Sequence, residues 1–205
     1  MGASTMMDMI GSFVVGGLLF LMALRLNASA VEESSVYNGN LILQQNMTTA
    51  VNMIETDFRK IGYCRDWRLI SDPSLSIRIA DSTRLRFWTD LGNDGTLDSL
   101  TYYVGSTSEL TDTPNPRDRY LYRQENAEAP QRMNLGVTQF QLRYRDAEDS
   151  VIAFPIVDPR EINSMELSIA IESSFPLQQQ YMNDTSQYQV FWRQIRLVTK
   201  NLRNR

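Results

Sequence analysis

Acidic residues at a regular spacing between residues 90 and 98 are the first candidates for chemistry in this sequence. The segment DLGNDGTLD has Asp at its first, fifth and ninth positions and Gly at its sixth. This spacing is typical of a calcium loop, in which carboxylates converge on one ion around a sharp glycine turn. Gly92 departs from the pattern, because Asp or Asn is usual at the third position, and the twelfth position is not Glu. The candidate metal ligands are Asp90, Asn93, Asp94 and Asp98.

The same segment also fits a plain hairpin turn. Asn93, Asp94 and Gly95 are residue types that tight turns between strands favour. The sequence alone leaves both interpretations open. Calcium is the one cofactor for which it offers candidate ligands, and we expect a bound calcium ion to be structural.

Residue types that many active sites require are scarce. The sequence contains no His, which excludes His general bases, Ser-His-Asp triads and His-ligated zinc sites. Cys64 is the only Cys, so it is either a small buried side chain or a bridge between molecules. The net charge of −4 argues against a broad basic surface for nucleic acid. We therefore expect neither an enzyme nor a nucleic-acid-binding protein.

The first 26 residues contain a long apolar run. Met9 to Leu24 reads MIGSFVVGGLLFLMAL without a charged residue, between Asp8 and Arg25. As a helix this run is about 24 Å long, and the apolar residues on either side bring it close to a bilayer span. Three interpretations compete: a signal peptide, a membrane anchor, and a segment that moves from the membrane into a filament core. The lack of Lys and Arg before Asp8 disfavours a signal peptide.

The helical pattern continues beyond the apolar run. No Pro occurs before Pro73, and Gly62 is a helix stop signal that follows Arg59 and Lys60. We predict one helix that runs to about Ile61. Its second half carries a single apolar stripe at steps of three or four. The stripe consists of Val36, Leu43, Met47, Ala50, Val51, Ile54, Phe58 and Ile61.

After Gly62 the apolar period changes from 3.6 to 2, which indicates strands. In the fifth of these strands, Val137, Gln139, Gln141 and Arg143 share one face, opposite Phe140, Leu142 and Tyr144. We predict an α+β fold, in which the long helix packs on an antiparallel sheet. The predicted domains are an assembly or transmembrane half-helix (1–26), a packed amphipathic half-helix (27–62) and a β-rich domain (63–205). The predicted strands are 76–79, 84–89, 97–104, 120–123, 137–144, 165–171 and 189–198.

Four phrases in order along the chain resemble those of one family. They are DFRKIGY from Asp57, FWTDLGNDGTLDSLTYY from Phe87, VTQFQLRY from Val137 and FWRQIRL from Phe191. Together with the N-terminal helix, they resemble the type IV pilin superfamily, and in particular its W-class minor pilins and the J-type pseudopilins of type II secretion.

The resemblance implies a structural subunit of an extracellular filament that assembles through its N-terminal helix. Its partners would be copies of itself and other pilin-like subunits, and it would be a single-pass inner-membrane protein before assembly. The alternative is a membrane-anchored extracytoplasmic binding or adhesion domain that does not polymerise. The candidate assembly residues are Asp8, Phe13, Val14, Leu18, Phe20 and Leu21.

Asp8 has a particular role in this interpretation. Members of the family have Glu at the fifth mature position, where it neutralises the N-terminal amine of a neighbouring subunit. Counted from Met1 that position is Thr5, and counted after Gly2 it is Met7. Asp8 is the one carboxylate in this segment, so we expect it to take the place of that Glu.

One further motif concerns modification. Asn183-Asp184-Thr185 matches the acceptor sequence for N-linked glycosylation and falls in a polar segment that we predict to be a loop. Asn183 is therefore a candidate glycosylation site. The sequons at Asn27 and Asn46 fall on the predicted helix and are poorer candidates.

Overall fold

A computed structural model describes residues 2–176, 188–198 and 201. One helix, α1, spans Gly2–Arg59 and is followed by a seven-stranded antiparallel sheet. The chain divides into two compact units, Met1–Leu41 and Ile42–Arg205. The prediction of an α+β fold, with a long N-terminal helix packed on an antiparallel sheet, is confirmed.

The sheet is a meander in which each strand pairs with the next one along the chain. The predicted strand bounds agree with the structure within two residues at each end, except that the fifth strand starts at Gln131 rather than Val137. The strands are β1 (Ile77–Ala80), β2 (Arg84–Thr89), β3 (Asp98–Val104), β4 (Arg119–Glu125), β5 (Gln131–Arg145), β6 (Ser164–Glu172) and β7 (Val190–Val198).

The sheet curls because β5 changes partner along its length. Its first part pairs with β4 up to Val137, and its second part pairs with β6 from Val137 onward. At this point Gly136 has φ +74°, and a Cβ added to it would lie 2.5 Å from the carbonyl oxygen of Glu172. The turn between β1 and β2 also contacts the second part of β5, since the amide of Leu142 donates to the Ser82 carbonyl over 2.7 Å.

A β-bulge overturns one detail of the predicted alternation. Val137 and Gln139 pair with Ile171 and Ala170, so β5 has one more residue than β6 across this step. The extra residue moves Val137 to the other face of the sheet. Val137 is therefore fully buried, whereas Gln139 and Arg143, which were predicted to share its face, are exposed.

The predicted apolar stripe of α1 forms the core with the inner face of the sheet. Phe58 makes edge-to-face contacts with the rings of Phe87 and Tyr102, at centroid distances of 5.7 and 5.5 Å. The stripe begins at Leu43, whereas Val36 is 39% exposed. The predicted packed half-helix of residues 27–62 is thus shorter than expected, because residues 27–38 are all exposed. The buried members of the stripe are Leu43, Met47, Ala50, Val51, Ile54, Phe58 and Ile61.

The end of α1 is fixed by its predicted stop signal. Gly62 has φ +73°, a left-handed conformation that glycine adopts without strain. Its amide donates to the carbonyl of Trp88 over 3.0 Å, so the chain leaves the helix directly onto β2. The helix itself ends at Arg59, two residues before the predicted Ile61.

Candidate assembly surface

The first part of α1 presents apolar side chains on every side. Its large apolar residues between Met6 and Leu26 are between 49% and 78% exposed. None of the residues in its most apolar window is buried. Among the described residues, this is the one helix that is long and apolar enough to cross a membrane. The predicted assembly residues in this surface are Phe13 (75% exposed), Val14 (56%), Leu18 (54%), Phe20 (64%) and Leu21 (57%).

An apolar helix surface of this kind requires a partner. A helix that packs on one protein face needs only a stripe, whereas a helix that is apolar all round is buried in lipid or among other helices. Each fully buried side chain of this size contributes about 1.5–3 kcal/mol relative to exposure in water. This surface can therefore insert into a bilayer or pack against other apolar helices.

Asp8 is the only acidic residue within the described part of α1 that precedes Glu32. No described residue forms an ion pair with its carboxylate. The neighbouring hydroxyls bond to the helix itself, since Ser12 donates to the backbone carbonyl of Asp8 over 2.8 Å. An ionised carboxylate without a partner is costly in an apolar surrounding, so burial of this segment requires a cation near Asp8 or protonation of its side chain.

The second part of α1 is attached to the sheet by a buried polar network that the sequence analysis missed. Asp57 lies on the buried side of the helix and is 6% exposed. Its Oδ2 accepts hydrogen bonds from the hydroxyl of Tyr102 over 2.5 Å and from Nε of Arg123 over 2.8 Å. Arg123 also forms an ion pair with Glu125. One helix residue thus contacts two strands through a carboxylate.

The environment of this network keeps its hydrogen bonds in place. Burial and the adjacent Asp57 carboxylate raise the pKa of Tyr102 well above its usual range, so its hydroxyl remains a donor. Burial disfavours the charge on Arg123, but its bonds to Asp57 and Glu125 outweigh this and raise its pKa. The sequence did contain one indication that Asp57 is buried, which is its position between Ile54 and Ile61 of the apolar stripe. Its distant partners could not be read from local spacing.

The candidate calcium loop forms the connection between β2 and β3. Asp90 is fully buried, and its carboxylate accepts hydrogen bonds from the amides of Arg65, Asp94 and Gly95 at 2.9 to 3.1 Å. Burial raises the pKa of this group, but the amide hydrogen bonds outweigh burial and bring the pKa of Asp90 below its usual value. Asn93 and Gly95 have φ of 55° and 89°, as the hairpin-turn interpretation requires.

The other candidate ligands face different partners. Asn93 Oδ1 accepts a hydrogen bond from the Tyr63 hydroxyl over 2.6 Å, and Asp94 Oδ1 accepts one from the Thr96 amide over 2.8 Å. Asp98 accepts hydrogen bonds from the Leu91 amide and the Asn126 side chain. Within the described ranges, no group of three or more His, Cys, Asp or Glu residues could hold a metal ion. The geometry therefore favours the hairpin turn and gives the calcium interpretation no support.

Two other predictions concern single residues. Cys64 is buried, in agreement with its interpretation as a small buried side chain. The candidate glycosylation site Asn183 lies outside the described residues.

Comparison with known proteins identified no relative of this chain. No protein-family model, no curated protein and no solved structure matches this chain.

Proposed function

We propose that this chain is a structural subunit of a type IV pilus-like or pseudopilus filament that assembles through its N-terminal helix. The observation that carries the proposal is that α1 is a single helix of 58 residues with two different parts. Its first part is apolar all round and exposed, and its second part is buried on the sheet. The backbone of α1 is therefore helical from the exposed apolar surface to the residues that pack on the sheet.

In the proposed mechanism the first part of α1 has two successive environments. Before assembly it lies in the inner membrane, which its length and hydropathy permit. During assembly it leaves the bilayer and packs against the same segments of neighbouring copies, or of other pilin-like subunits, in the core of an extracellular filament. The transfer exchanges lipid contacts for contacts between helices, so close packing and polar pairing, rather than apolar burial alone, drive association.

Asp8 provides the polar pairing in this mechanism. In a filament core its carboxylate would face a cation of the neighbouring copy, such as the N-terminal amine. Such a pair has one favourable alignment along the helix axis, because any other alignment leaves two unpaired charges in an apolar surrounding. Asp8 would in this way set the axial register between subunits.

A second candidate function is a membrane-anchored extracytoplasmic binding or adhesion domain that never polymerises. The length of the apolar helix also favours this function, since the helix can cross a membrane. An anchor has no need of a continuous connection to its domain, whereas a filament subunit needs one to fix its domain relative to its neighbours. A helix-breaking substitution between the two parts of α1 therefore distinguishes the two functions.

The experiment compares variants of the full chain in the cells that produce it, by electron microscopy of surface-sheared material. We expect filaments from the wild type and none from Asp8→Lys, which replaces the proposed partner of a cation with a second cation. The control Glu148→Lys makes the same charge change at an exposed loop residue and should assemble normally. Wild-type filament yield from Asp8→Lys would refute the role of Asp8.

The helix-breaking variant is Ser35→Pro, with Ser35→Ala as its matched control. Ser35 is exposed within α1, so proline there breaks the helix at a cost of about 3 kcal/mol without a change in the core. Loss of filaments in Ser35→Pro alone supports the filament subunit. A wild type that remains a monomer in detergent and yields no filaments would instead establish the anchored domain.

A further inference from the structure

The loop of residues 112–118, which leads into β4, is attached to the end of β6 by a buried side chain. Asn115 is fully buried, and its Nδ2 donates to Glu172 Oε2 over 3.0 Å and to the carbonyl of Ser173 over 3.2 Å. Arg117 in the same loop forms an ion pair with Glu172 at 2.8 Å. The loop therefore places its polar side chains around a carboxylate that is itself only 8% exposed.

The loop ends at Asp118, a buried carboxylate that accepts no hydrogen bond. Asp118 is fully buried, and neither of its carboxylate oxygens has a hydrogen-bond partner in the described part of the chain. The two other aspartates that are buried in the described ranges, Asp57 and Asp90, accept two and three hydrogen bonds. Buried carboxylates are paired or hydrogen-bonded as a rule, so this exception indicates a bound group such as an ion.

The groups close to the Asp118 carboxylate bind other partners. Burial raises the pKa of Asp118 most, and the neighbouring carboxylate of Glu172 raises it further. The nearby Thr113 hydroxyl and the Arg117 guanidinium lower this pKa, but the net shift is upward. The Thr113 hydroxyl donates its one proton to the carbonyl of Asn115 over 3.5 Å. The Arg117 guanidinium pairs with Glu172, so Asp118 lies beside two possible donors without a hydrogen bond from either.

The charges of this cluster leave one negative charge without a counter-charge. The ion pair with Arg117 balances the charge of Glu172, so the unbalanced charge is that of Asp118. A monovalent cation at Asp118 would cancel this charge, whereas a divalent cation would leave an excess positive charge in a buried place. Calcium sites in addition commonly have several carboxylate ligands, and the described residues contain no group of three acidic residues that could hold a metal ion. The charge count therefore favours a monovalent cation.

We propose that the Asp118 carboxylate binds a monovalent metal cation, sodium or potassium, in this loop. The loop also offers neutral oxygen ligands, which are the hydroxyl of Thr113 and the carbonyl of Asn115. The Asn115 carbonyl is held close to Asp118, because it accepts a hydrogen bond from the Asp118 amide over 3.3 Å. Oxygen atoms of this kind coordinate alkali-metal cations in place of water.

The bound cation has a structural role in this proposal. It compensates the buried charge of Asp118 and so stabilises the loop in its position against Glu172 at the end of β6. The site belongs to the Ile42–Arg205 unit, so the proposal does not depend on whether the chain assembles into a filament. A proton on Asp118 is the alternative way to remove the charge, and the test below distinguishes the two.

The test measures thermal unfolding of the full chain in a nonionic detergent near neutral pH, in sodium, potassium and choline chloride of equal ionic strength. Choline is too large for a buried site and supplies ionic strength alone. We expect the Tm in sodium or potassium chloride to exceed that in choline chloride by roughly 2–4 °C, because a ligand of the native state raises its stability. Asp118→Asn keeps the shape of the side chain without its charge, so its Tm should be the same in all three salts. The control Asp112→Asn makes the same substitution at an exposed position of the loop and should keep the wild-type difference.

Three results would overturn the proposal. A wild-type Tm that is equal in the three salts and decreases as the pH rises through the raised pKa of Asp118 would assign a proton to this carboxylate. A difference between salts that Asp118→Asn retains would place the cation elsewhere in the chain. A Tm in calcium chloride of the same ionic strength above that in sodium and potassium chloride would assign a divalent ion. The comparison of salts in the wild type does not require either variant to fold.

Discussion

The buried ion pair between Asp57 and Arg123 provides the sharpest test of how the helix is attached to the sheet. The Asp57 and Arg123 side chains are 9% and 15% exposed, and Glu125, the other partner of Arg123, is 33% exposed. Removal of one partner of a buried pair leaves an uncompensated charge and costs about 3–5 kcal/mol. The two single substitutions should therefore differ, because only Arg123 has a second charged partner.

Arg123→Met leaves the Asp57 carboxylate with the Tyr102 hydroxyl alone, so the full cost of about 3–5 kcal/mol applies. Asp57→Leu leaves Arg123 paired with Glu125, so we expect a smaller loss, on the order of 2 kcal/mol. The double variant Asp57→Leu/Arg123→Met has no unpaired charge on the helix side. It should be more stable than Arg123→Met, although simple addition of the two losses predicts the reverse.

Thermal unfolding of the full chain in detergent, followed by near-ultraviolet circular dichroism, measures these differences. A loss of 3–5 kcal/mol corresponds to a decrease in Tm of roughly 6–20 °C for a domain of this size. The helical signal of the micelle-bound segment does not interfere, because the near-ultraviolet bands report the packing of the aromatic core. Additive losses in the double variant, or a change below about 1 kcal/mol in Arg123→Met, would show that the pair does not hold the helix in place.

Three further predictions concern the sheet and its turns. Gly136→Ala should destabilise the domain by more than about 1 kcal/mol in the same unfolding assay, since its Cβ would meet the Glu172 carbonyl oxygen at 2.5 Å; a neutral effect would mean that the bend in β5 can relax. Calcium chloride should leave the Tm unchanged, because the carboxylates of the loop 90–98 face amides and side chains rather than one another; a rise in Tm that EDTA reverses would restore the calcium site. The hydrogen bond to Glu109 raises the pKa of Tyr122 to about 12. The stabilising effect of this hydrogen bond is therefore complete below the ordinary tyrosine pKa near 10 and decreases as the pH rises toward 12. Absorbance titration of Glu109→Gln should show that Tyr122 ionises at a lower pH than in the wild type.

The elements that local periodicity defines were predictable from the sequence. The stripe from Leu43 to Ile61 shows the apolar period of a helix, and the strands show the two-residue alternation of a sheet. Both patterns place apolar side chains on the face that packs in the core. Gly62 marked the helix end for a similarly local reason, because glycine adopts the left-handed conformation that the turn requires. These features need no knowledge of which distant residues will meet.

The features that sequence analysis missed or misjudged depend on distant residues. Asp57 and Arg123 are separated by 66 positions, and nothing in the spacing of either segment indicates that they meet. The bulge at Val137 depends on the pairing of β5 with β6 and changes which face Val137 occupies. In the loop 90–98 the spacing of a calcium site was present, but the amide of Arg65, 25 positions away, helps to satisfy Asp90. Residue spacing defines candidate ligands, whereas their orientation depends on the fold.

The continuity of α1 carries more weight for function than its hydropathy does. A membrane anchor requires about 20 apolar residues and any form of connection to its domain. α1 extends for 58 residues. Its residues from Asn27 to Asn38 lie between the apolar run and the buried stripe, and all of their side chains are exposed. An exposed helical segment gains little stability of its own in water, so a flexible linker would serve an anchor equally well. In the proposed filament subunit, this exposed helical segment would connect the assembly surface to the residues of α1 that pack on the sheet.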